Sequence, residues 1–172
     1  MYRQALINVL EDCQPPIIIF VNQKKDIDNL AKYVSTITRL KCATFHGDKI
    51  QAKREQALNG FKTGFYDLLI CTNLASRGLD VEGIKHVINY DAPNSIADYT
   101  HRIGRTGRAG KKGVATTFLT KNDQEIFYDL RNYLVESKQK VPDALNDHPA
   151  AYVKPTLEKP KTETKEEDNN VP

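Results

Sequence analysis

Hydrophobic positions along the chain follow two alternating patterns. Short runs of apolar and β-branched residues predict five strands, and most of the segments between them have helical spacing. The predicted strands are Ile17–Val21, Cys42–Phe45, Leu68–Cys71, His86–Asn89 and Val114–Leu119. Runs that are apolar throughout, instead of at every second residue, are typical of strands covered on both faces. The pattern therefore predicts an α/β fold in which a parallel sheet of about five strands is flanked by helices.

The helical segments carry apolar residues at three- and four-residue steps. Two such faces are Ile27, Leu30, Ala31, Val34 and Ile37 and, ahead of the first strand, Ala5, Leu6, Val9 and Leu10. Three more helices are predicted from their start signals, which are Asp48 with Gln51, Ser95 with Asp98, and Thr120 with Asp123. In folds of this kind, ligands bind at the loops that leave the carboxyl ends of the strands. We therefore expect the chemistry of the protein in those loops.

Composition narrows the class of protein without naming a function. The chain has 172 residues, of which 40% are hydrophobic and 27% charged, and this fits one soluble globular domain. Its longest apolar run, Ile17–Val21, is too short to cross a bilayer, and the first residues lack the pattern of a signal peptide. Cys13, Cys42 and Cys71 form no close pair and no zinc spacing. We therefore expect no membrane partner, no metal site and a reducing compartment.

The net charge of +3 is unevenly spread along the chain. Residues 154–172 hold four Lys and five Asp or Glu, a net charge of −1, so that residues 1–153 carry +4. This last segment contains almost nothing to bury, and we expect it to be disordered. The sequence thus predicts a folded domain over 1–137, a C-terminal extension over 138–153 and a disordered polar tail over 154–172.

The segment from His101 to Gly110 carries the strongest chemical signal. Arginines stand at positions 102, 105 and 108, and glycines at positions 104, 107 and 110. Each glycine would cost a helix about 1 kcal/mol, so the segment is predicted to be a loop after a short helix. Guanidinium groups match phosphate oxygens, and glycine allows the backbone to approach closely. The residue types indicate a polyphosphate clamp; the alternative is a solvated basic turn before the last strand.

A complete nucleotide site also needs a loop that cradles phosphate. The pattern G-x-x-x-x-G-K-[S/T] does not occur, and the nearest candidate, Gly110-Lys111-Lys112, lacks the hydroxyl and the correctly spaced first glycine. No paired acids follow a strand in the manner of a magnesium-binding motif. We therefore expect the clamp to act on a nucleotide that is held by another domain, as an arginine finger does.

Four blocks of sequence resemble the DEAD-box helicase family. The segment 101–108, His-Arg-Ile-Gly-Arg-Thr-Gly-Arg, is similar to motif VI of that family, and 71–80, Cys-Thr-Asn-Leu-Ala-Ser-Arg-Gly-Leu-Asp, to motif V. His46-Gly47 with Gln51, Arg54, Phe61 and Gly64 has the spacing of H-G-x-x-x-Q-x-x-R…F-x-x-G, and the segment 17–23 resembles motif IV. The blocks occur in order over residues 1–137. The resemblance implies the second, C-terminal RecA-like domain of an ATP-dependent RNA helicase, a three-layer fold.

The family resemblance implies roles at an ATP site shared between two domains. Arg105 and Arg108 would face the β- and γ-phosphates, and His101 would connect motif VI to neighbouring motifs. Gly78 and Asp80 would line the nucleotide; the alternative for Asp80 is a turn cap. The cofactor implied is ATP with Mg²⁺, held mainly by an N-terminal RecA-like domain that would be the partner of this one. The chain alone is then expected to be inactive.

The same resemblance implies that RNA is a partner, bound along its backbone. The implied RNA-binding residues are Phe20, Asn22, Gly47, Gln51, Arg54 and Thr72. Hydroxyl, amide and guanidinium groups bind phosphate and sugar without reading bases. Three of these residues have a simpler interpretation: Arg54 as a solvated helix face, Gln51 as a helix cap and Phe20 as core.

One position departs from the family. The family usually has an acid where this chain has Asn73, so a salt bridge from this position is in doubt. Within the family, the segments 15–25, 113–120 and 142–155 resemble the spliceosomal branch that acts at the 5′ splice site. That resemblance implies a nuclear location and spliceosomal partners.

Two other functions remain open from the sequence. A DNA translocase of the same superfamily usually has Gln where this chain has His101. A non-catalytic adaptor that binds RNA or a helicase is compatible with the missing phosphate loop. Stimulation of ATP hydrolysis by RNA or by DNA would separate the first alternative, and activity after mixing with a first domain would separate the second.

Overall fold

A five-stranded parallel sheet forms the centre of the protein, in the strand order β2-β3-β1-β4-β5. The computed structural model describes residues 2–76, 81–107, 110 and 112–155. The strands are β1 (Ile17–Phe20), β2 (Cys42–Phe45), β3 (Leu68–Cys71), β4 (His86–Asn89) and β5 (Val114–Thr117). The helices are α1 (Arg3–Glu11), α2 (Lys24–Ile37), α3 (Gln51–Lys62), α4 (Asn73–Ser76), α5 (Ile96–Ile103), α6 (Gln124–Glu136) and α7 (Asp143–Asn146), followed by a 3₁₀ turn (Pro149–Ala151). The predicted fold class, a parallel sheet flanked by helices, is confirmed.

The bounds of the strands follow the apolar runs closely. β2, β3 and β4 have the predicted bounds, β1 ends one residue earlier and β5 two residues earlier. Every residue of β1 and β3 is buried because these strands lie inside the sheet and are covered on both faces. β5 is an edge strand and is only half covered, since Val114 and Ala115 are exposed.

Two hydrophobic layers cover the sheet, and a third cluster lies beside it. One layer contains Ile18, Phe20, Leu69 and Val87 and is covered by α3 through Phe61. The opposite layer contains Ile17, Ile19, Leu68, Ile70 and Ile88 and is covered by α1 and α2. The third cluster joins α5, α6 and the C-terminal extension through Tyr99, Phe127, Leu130, Leu145 and Ala151. The alternation of side chains along each buried strand therefore feeds both layers.

Helix starts agree with the sequence signals only in part. At α5, Ser95 accepts a hydrogen bond from the backbone N–H of Asp98, as predicted. The predicted capping box at Asp48 is wrong, because Ile50 is the N-cap residue of α3. The Asp48 carboxylate instead accepts a 2.7 Å hydrogen bond from Lys24, which ties the starts of two helices together.

The C-terminal extension packs against α6 instead of standing apart. Leu145 and Ala151 are buried in the third cluster, and the Arg131 guanidinium lies 4.3 Å from the centre of the Tyr152 ring. Most of the predicted tail, residues 156–172, lies outside the described residues. Among the described helices, none is long and apolar enough to cross a membrane.

The register of the sheet brings five strand ends to one edge. Phe20 pairs with both Cys71 and Asn89, Cys71 pairs with Phe45, and Asn89 pairs with Thr117. Adjacent strands in a sheet are about 4.8 Å apart. The loops after β1, β2 and β3 therefore leave the sheet side by side, and this carboxyl edge carries most of the residues singled out by the sequence.

Candidate functional site

Asn22 and Thr72 occupy equivalent places at the carboxyl edge, one after β1 and the other after β3. The Asn22 side chain donates a 2.9 Å hydrogen bond to the carbonyl of Ala92 and its backbone N–H donates a 2.7 Å bond to Asp91. The Thr72 hydroxyl accepts from the N–H of Ala75 at 3.3 Å, so it stands at the start of α4. Asn22 is thus held by the segment after β4, and Thr72 by the helix that directly follows it.

Arg54 and Gln51 lie in the first turn of α3, beside the loop after β2. The Arg54 guanidinium is 5.2 Å from the centre of the Phe45 ring and donates a 3.3 Å hydrogen bond to Gln51. Gln51 donates in turn to Glu55 at 2.8 Å, and no side chain caps the start of this helix, where Ile50 is the N-cap residue. The Nε atom of Arg54 is buried without a hydrogen-bond partner among the described residues. This arginine is therefore half-buried against the sheet and differs from an ordinary solvated helix residue.

Gly47 is exposed at the turn between β2 and α3. A Cβ atom built on it would have no heavy atom within 4 Å, so its backbone is open to a ligand. Gly47, Gln51 and Arg54 lie on one connection after β2, as the spacing of the sequence block implies.

Phe20 requires a correction. It was expected on the RNA-binding face or in the core, and the structure places it in the core with no exposed surface. The guanidinium of Arg102 lies 5.3 Å from the centre of its ring. The Phe20 side chain therefore packs against Arg102 inside the protein, and it cannot contact a ligand directly.

His101 and Arg105 lie one helical turn apart, at the end of α5 and just after it. The Arg105 NH2 group contacts the Nε2 atom of His101. The next residue, Thr106, donates a 2.5 Å hydrogen bond to the carbonyl of Ile84 and forms a single parallel bridge with it. The start of the arginine loop is thus attached to the segment that leads into β4.

Arg102 requires a correction, because the sequence grouped it with the arginines of the predicted phosphate clamp and gave no sign of its burial. It is a buried cation with 1% exposure, although Gly104 and Gly107, which follow it closely in the chain, are exposed. Its guanidinium donates to the side chains of Asn73 (2.5 Å), Asn22 (2.6 Å) and Asn89 (3.4 Å), and to the backbone carbonyl of Asp91 (2.8 Å). Burial lowers the pKa of Arg102 to about 10, against the opposing influence of Asp98, Cys71 and Asp91, so the group stays charged at neutral pH. Tyr99 shares the buried face of α5 with Arg102, and this three-residue spacing was the available signal.

Asn73 is one of these acceptors, although it lacks the charge of the acid that is usual at this position. The Arg102 Nε atom donates to its amide oxygen at 2.5 Å, so the position still binds the arginine without a salt bridge.

An ion-pair cluster connects α2 to β2 and to the loop that follows it. Asp28 on α2 accepts from Lys49 and from Thr44 and lies 3.3 Å from Nε2 of the buried His46. Burial alone would raise the pKa of Asp28, but the hydrogen bonds from Lys49 and Thr44 outweigh it and hold the pKa below its ordinary value. The cluster fixes the loop that contains Gly47.

Three implied site residues, Gly78, Asp80 and Arg108, lie outside the described residues. In the part of the chain that is described, no three His, Cys, Asp or Glu side chains converge on a point that would suit a metal ion. The described residues therefore offer no ligand set for the Mg²⁺ that the family resemblance implies.

A five-stranded parallel sheet flanked by helices, as found in this chain, is the fold of RecA-like helicase C-terminal domains. Residues 2–110 match the family described as "Helicase conserved C-terminal domain". This chain belongs to that family.

Its curated relatives are DEAD-box RNA helicases. The chain is 50% identical over 155 residues to the human "Probable ATP-dependent RNA helicase DDX23", covering 89% of this chain and 19% of that protein. It is 48% identical over 141 residues to the "Pre-mRNA-splicing ATP-dependent RNA helicase prp28" of Schizosaccharomyces pombe, covering 81% of this chain and 21% of that protein. The chain therefore spans about a fifth of the length of these relatives.

Solved structures show the same likeness. The RNA helicase Prp28 from Chaetomium thermophilum, bound to ADP, is similar with a TM-score of 0.77 and 42% identity, over 85% of this chain and 37% of that one. The C-terminal domain of the DEAD-box protein Dbp5 has a TM-score of 0.68 and 32% identity, over 78% of this chain and 79% of that one. The recognition of a DEAD-box C-terminal domain from four sequence blocks is confirmed.

Proposed function

We propose that this chain is the C-terminal half of an ATP-dependent RNA helicase motor, which binds the RNA backbone and completes an ATP site held mainly by a partner domain. The observation that carries the proposal is the common edge. Asn22, Thr72 and the start of α3 leave adjacent strands at one edge, and α5 with His101 lies against that edge through Arg102.

Backbone binding follows from the groups at this edge. An amide, a hydroxyl, an open glycine and a half-buried arginine are suited to phosphate and ribose, and such contacts carry no base code. Asn22, Gly47, Gln51, Arg54 and Thr72 are therefore proposed to bind RNA without sequence preference.

ATP hydrolysis would depend on closure of two domains. Arg105 is held on one side by His101 and on the other by the attachment of Thr106 to Ile84. A guanidinium fixed in this way costs little reorganisation when it meets the developing charge on a phosphate. Arg105 and Arg108 are proposed to face the β- and γ-phosphates, with Gly78 and Asp80 lining the nucleotide. RNA and ATP would close the domains together, and RNA bent along the edge cannot remain in a duplex.

The test uses a protein that joins this chain to a first helicase domain carrying a phosphate loop. We expect ATP hydrolysis that RNA stimulates and DNA does not, and we expect Arg108→Ala to lower it by about 10³-fold, the range known for arginine fingers. The matched control is Arg131→Ala, which removes an arginine from α6, far along the chain from the edge. Equal stimulation by DNA would support a translocase, and RNA binding without any hydrolysis would support an adaptor.

The pathway is proposed from the relatives that carry splicing in their names. We propose that the protein acts in pre-mRNA splicing in the nucleus, with spliceosomal proteins as partners. A tagged full-length protein should be nuclear and should enrich small nuclear RNAs over ribosomal RNA after crosslinking. Cytoplasmic staining with no such enrichment would contradict the splicing role and leave the motor function standing.

A further inference from the structure

The side chain of Arg102 joins three loops to one helix. It belongs to α5, and its hydrogen-bond acceptors lie after β1 (Asn22), after β3 (Asn73) and at the end of β4 (Asn89 and Asp91). It makes four hydrogen bonds, so nearly all of the five N–H donors of a guanidinium are used. A single buried side chain thus connects the ends of the three central strands, β3, β1 and β4.

All of these acceptors are neutral. Three are side-chain amides and one is a backbone carbonyl, and among the described residues no carboxylate oxygen is hydrogen-bonded to Arg102. A charge buried in this way depends on every acceptor, because each one that moves leaves a desolvated N–H group without a partner. Loss of one loop contact therefore destabilises the buried guanidinium as a whole.

The acceptors are themselves held in orientation. Asn22 presents its oxygen to Arg102 while its NH₂ group donates to Ala92 at 2.9 Å. Asn89 does the same, with its NH₂ group donating to Thr117 at 2.8 Å. Each amide can therefore offer Arg102 only its oxygen, and the arrangement is specific.

We propose that Arg102 is a positioning residue that sets the RNA-binding loops in place relative to the helix that carries His101 and Arg105. The inference rests on the proposed function and deepens it. Asn22 is an RNA-binding residue of that proposal, and Asn73 directly follows Thr72. When RNA binding moves either loop, the hydrogen bonds of Arg102 change. Because Arg102 belongs to α5, this change is transmitted to the groups that would face ATP.

Two substitutions on opposite sides of one hydrogen bond test the role. Arg102→Lys keeps the charge but removes the fork that reaches several loops at once, and Asn73→Ala removes one acceptor. In the two-domain protein, each should raise the RNA concentration that gives half-maximal ATPase stimulation by about tenfold, the size of one lost hydrogen bond to a charged group. The KM for ATP should change less than the RNA half-saturation does, because neither residue is proposed to touch the nucleotide and only the placement of α5 connects them to it.

The double variant separates positioning from general damage. Arg102→Lys with Asn73→Ala should be no worse than the more affected single variant, because both remove the same bond. Arg131→Lys is the matched control, since Arg131 also bonds an asparagine (Asn146, 3.2 Å) and lies over an aromatic ring, but in the C-terminal extension. It should leave RNA stimulation unchanged.

A second measurement does not depend on helicase activity. In the chain of 172 residues, Arg102→Lys should speed amide hydrogen exchange of the segments 22–24 and 72–75 by about tenfold and leave α6 unchanged. If Arg102→Lys does not fold, Asn73→Ala carries the same exchange test, because it only shortens a half-buried side chain.

The outcomes separate the two proposals. Folded variants with wild-type RNA half-saturation, or with additive effects, overturn the role of Arg102 while the motor function stands. A wild-type two-domain protein without RNA-stimulated hydrolysis overturns the motor function, and the exchange rates then decide alone whether Arg102 positions the loops.

Discussion

Gly113 sits where the arginine loop meets the start of β5, and replacing it with alanine tests how firmly that loop is attached. A Cβ atom at this position would collide with the hydroxyl of Thr106 and with the backbone nitrogen of Gly107, and it would lie 2.8 Å from Cγ2 of Thr106. Since one of these atoms belongs to the backbone, a rotation of a side chain cannot relieve the clash. The turn itself has to move away from β5.

The expected cost follows from two contributions. Overpacking of this kind costs about 1 to 3 kcal/mol. Movement of the turn also weakens the 2.5 Å hydrogen bond from Thr106 to Ile84, which contributes about 1 kcal/mol. Alanine restricts the unfolded chain more than glycine does and returns up to about 1 kcal/mol. We therefore expect Gly113→Ala to lower the free energy of unfolding by about 1 to 3 kcal/mol and the Tm by roughly 3 to 10 °C.

Thermal unfolding followed by circular dichroism measures this directly, with Gly47→Ala as the control. Gly47 has no heavy atom within 4 Å of a built Cβ, so its replacement should change stability by less than about 1 kcal/mol. Well below its Tm, Gly113→Ala in the two-domain protein should also hydrolyse ATP more slowly, because Arg105 moves with Thr106. A Gly113→Ala protein that melts within about 1 °C of wild type would refute the reasoning, since the turn would then be free to shift at no cost.

Three further predictions concern the edge, the ion-pair cluster and the thiols. Thr72→Ala combined with Arg54→Ala should weaken RNA binding and flatten its salt dependence without creating base preference, as filter binding over a salt series would measure; unchanged affinity would remove both residues from the RNA site. Asp28 has a lowered pKa in the folded state, so its stabilising effect is complete above the ordinary value of 3.8 and disappears as the pH falls through the lower folded value. When the pH falls from neutral to below about pH 4, the free energy of unfolding measured by urea titration should therefore decrease less in Asp28→Asn than in wild type. An equal decrease in both proteins would contradict the pairing. Burial raises the pKa of Cys71 to about 12, so iodoacetamide should alkylate the half-buried Cys13 well before Cys71 in the native chain, as peptide mass spectrometry would show; comparable labelling of both would contradict the burial.

The sheet could be predicted from the sequence because its strands are buried on both faces. Continuous apolar runs such as Ile17–Val21 and Leu68–Cys71 leave little choice of conformation or location. The carboxyl edge then followed from the rule that parallel strands end together. Helix starts were less certain, since the carboxylate of Asp48 can accept a hydrogen bond from a lysine as well as from a helix N-terminus, and only the folded chain decides.

Burial of individual polar residues could not be predicted in the same way. In the sequence, Arg102 is one of three arginines at equal spacing, and nothing in their type distinguishes a buried guanidinium from one that faces a ligand. The difference arises from tertiary structure, because α5 crosses the edge where three amide oxygens from different loops meet. Phe20 was uncertain for the same reason, since its place below Arg102 depends on that crossing.

The central position of β1 explains why one arginine can connect the ends of three strands. β1 pairs with β3 on one side and with β4 on the other, so the loops that carry Asn73, Asn22 and Asp91 leave three neighbouring strands at the same height. Strands in a sheet are about 4.8 Å apart, so the outer two of these loops start only about 10 Å from each other. A guanidinium placed above the middle strand reaches both, and a lysine, with one nitrogen, cannot. The proposed link between RNA and ATP thus depends on the strand order, which brings segments distant in sequence within reach of a single side chain on α5.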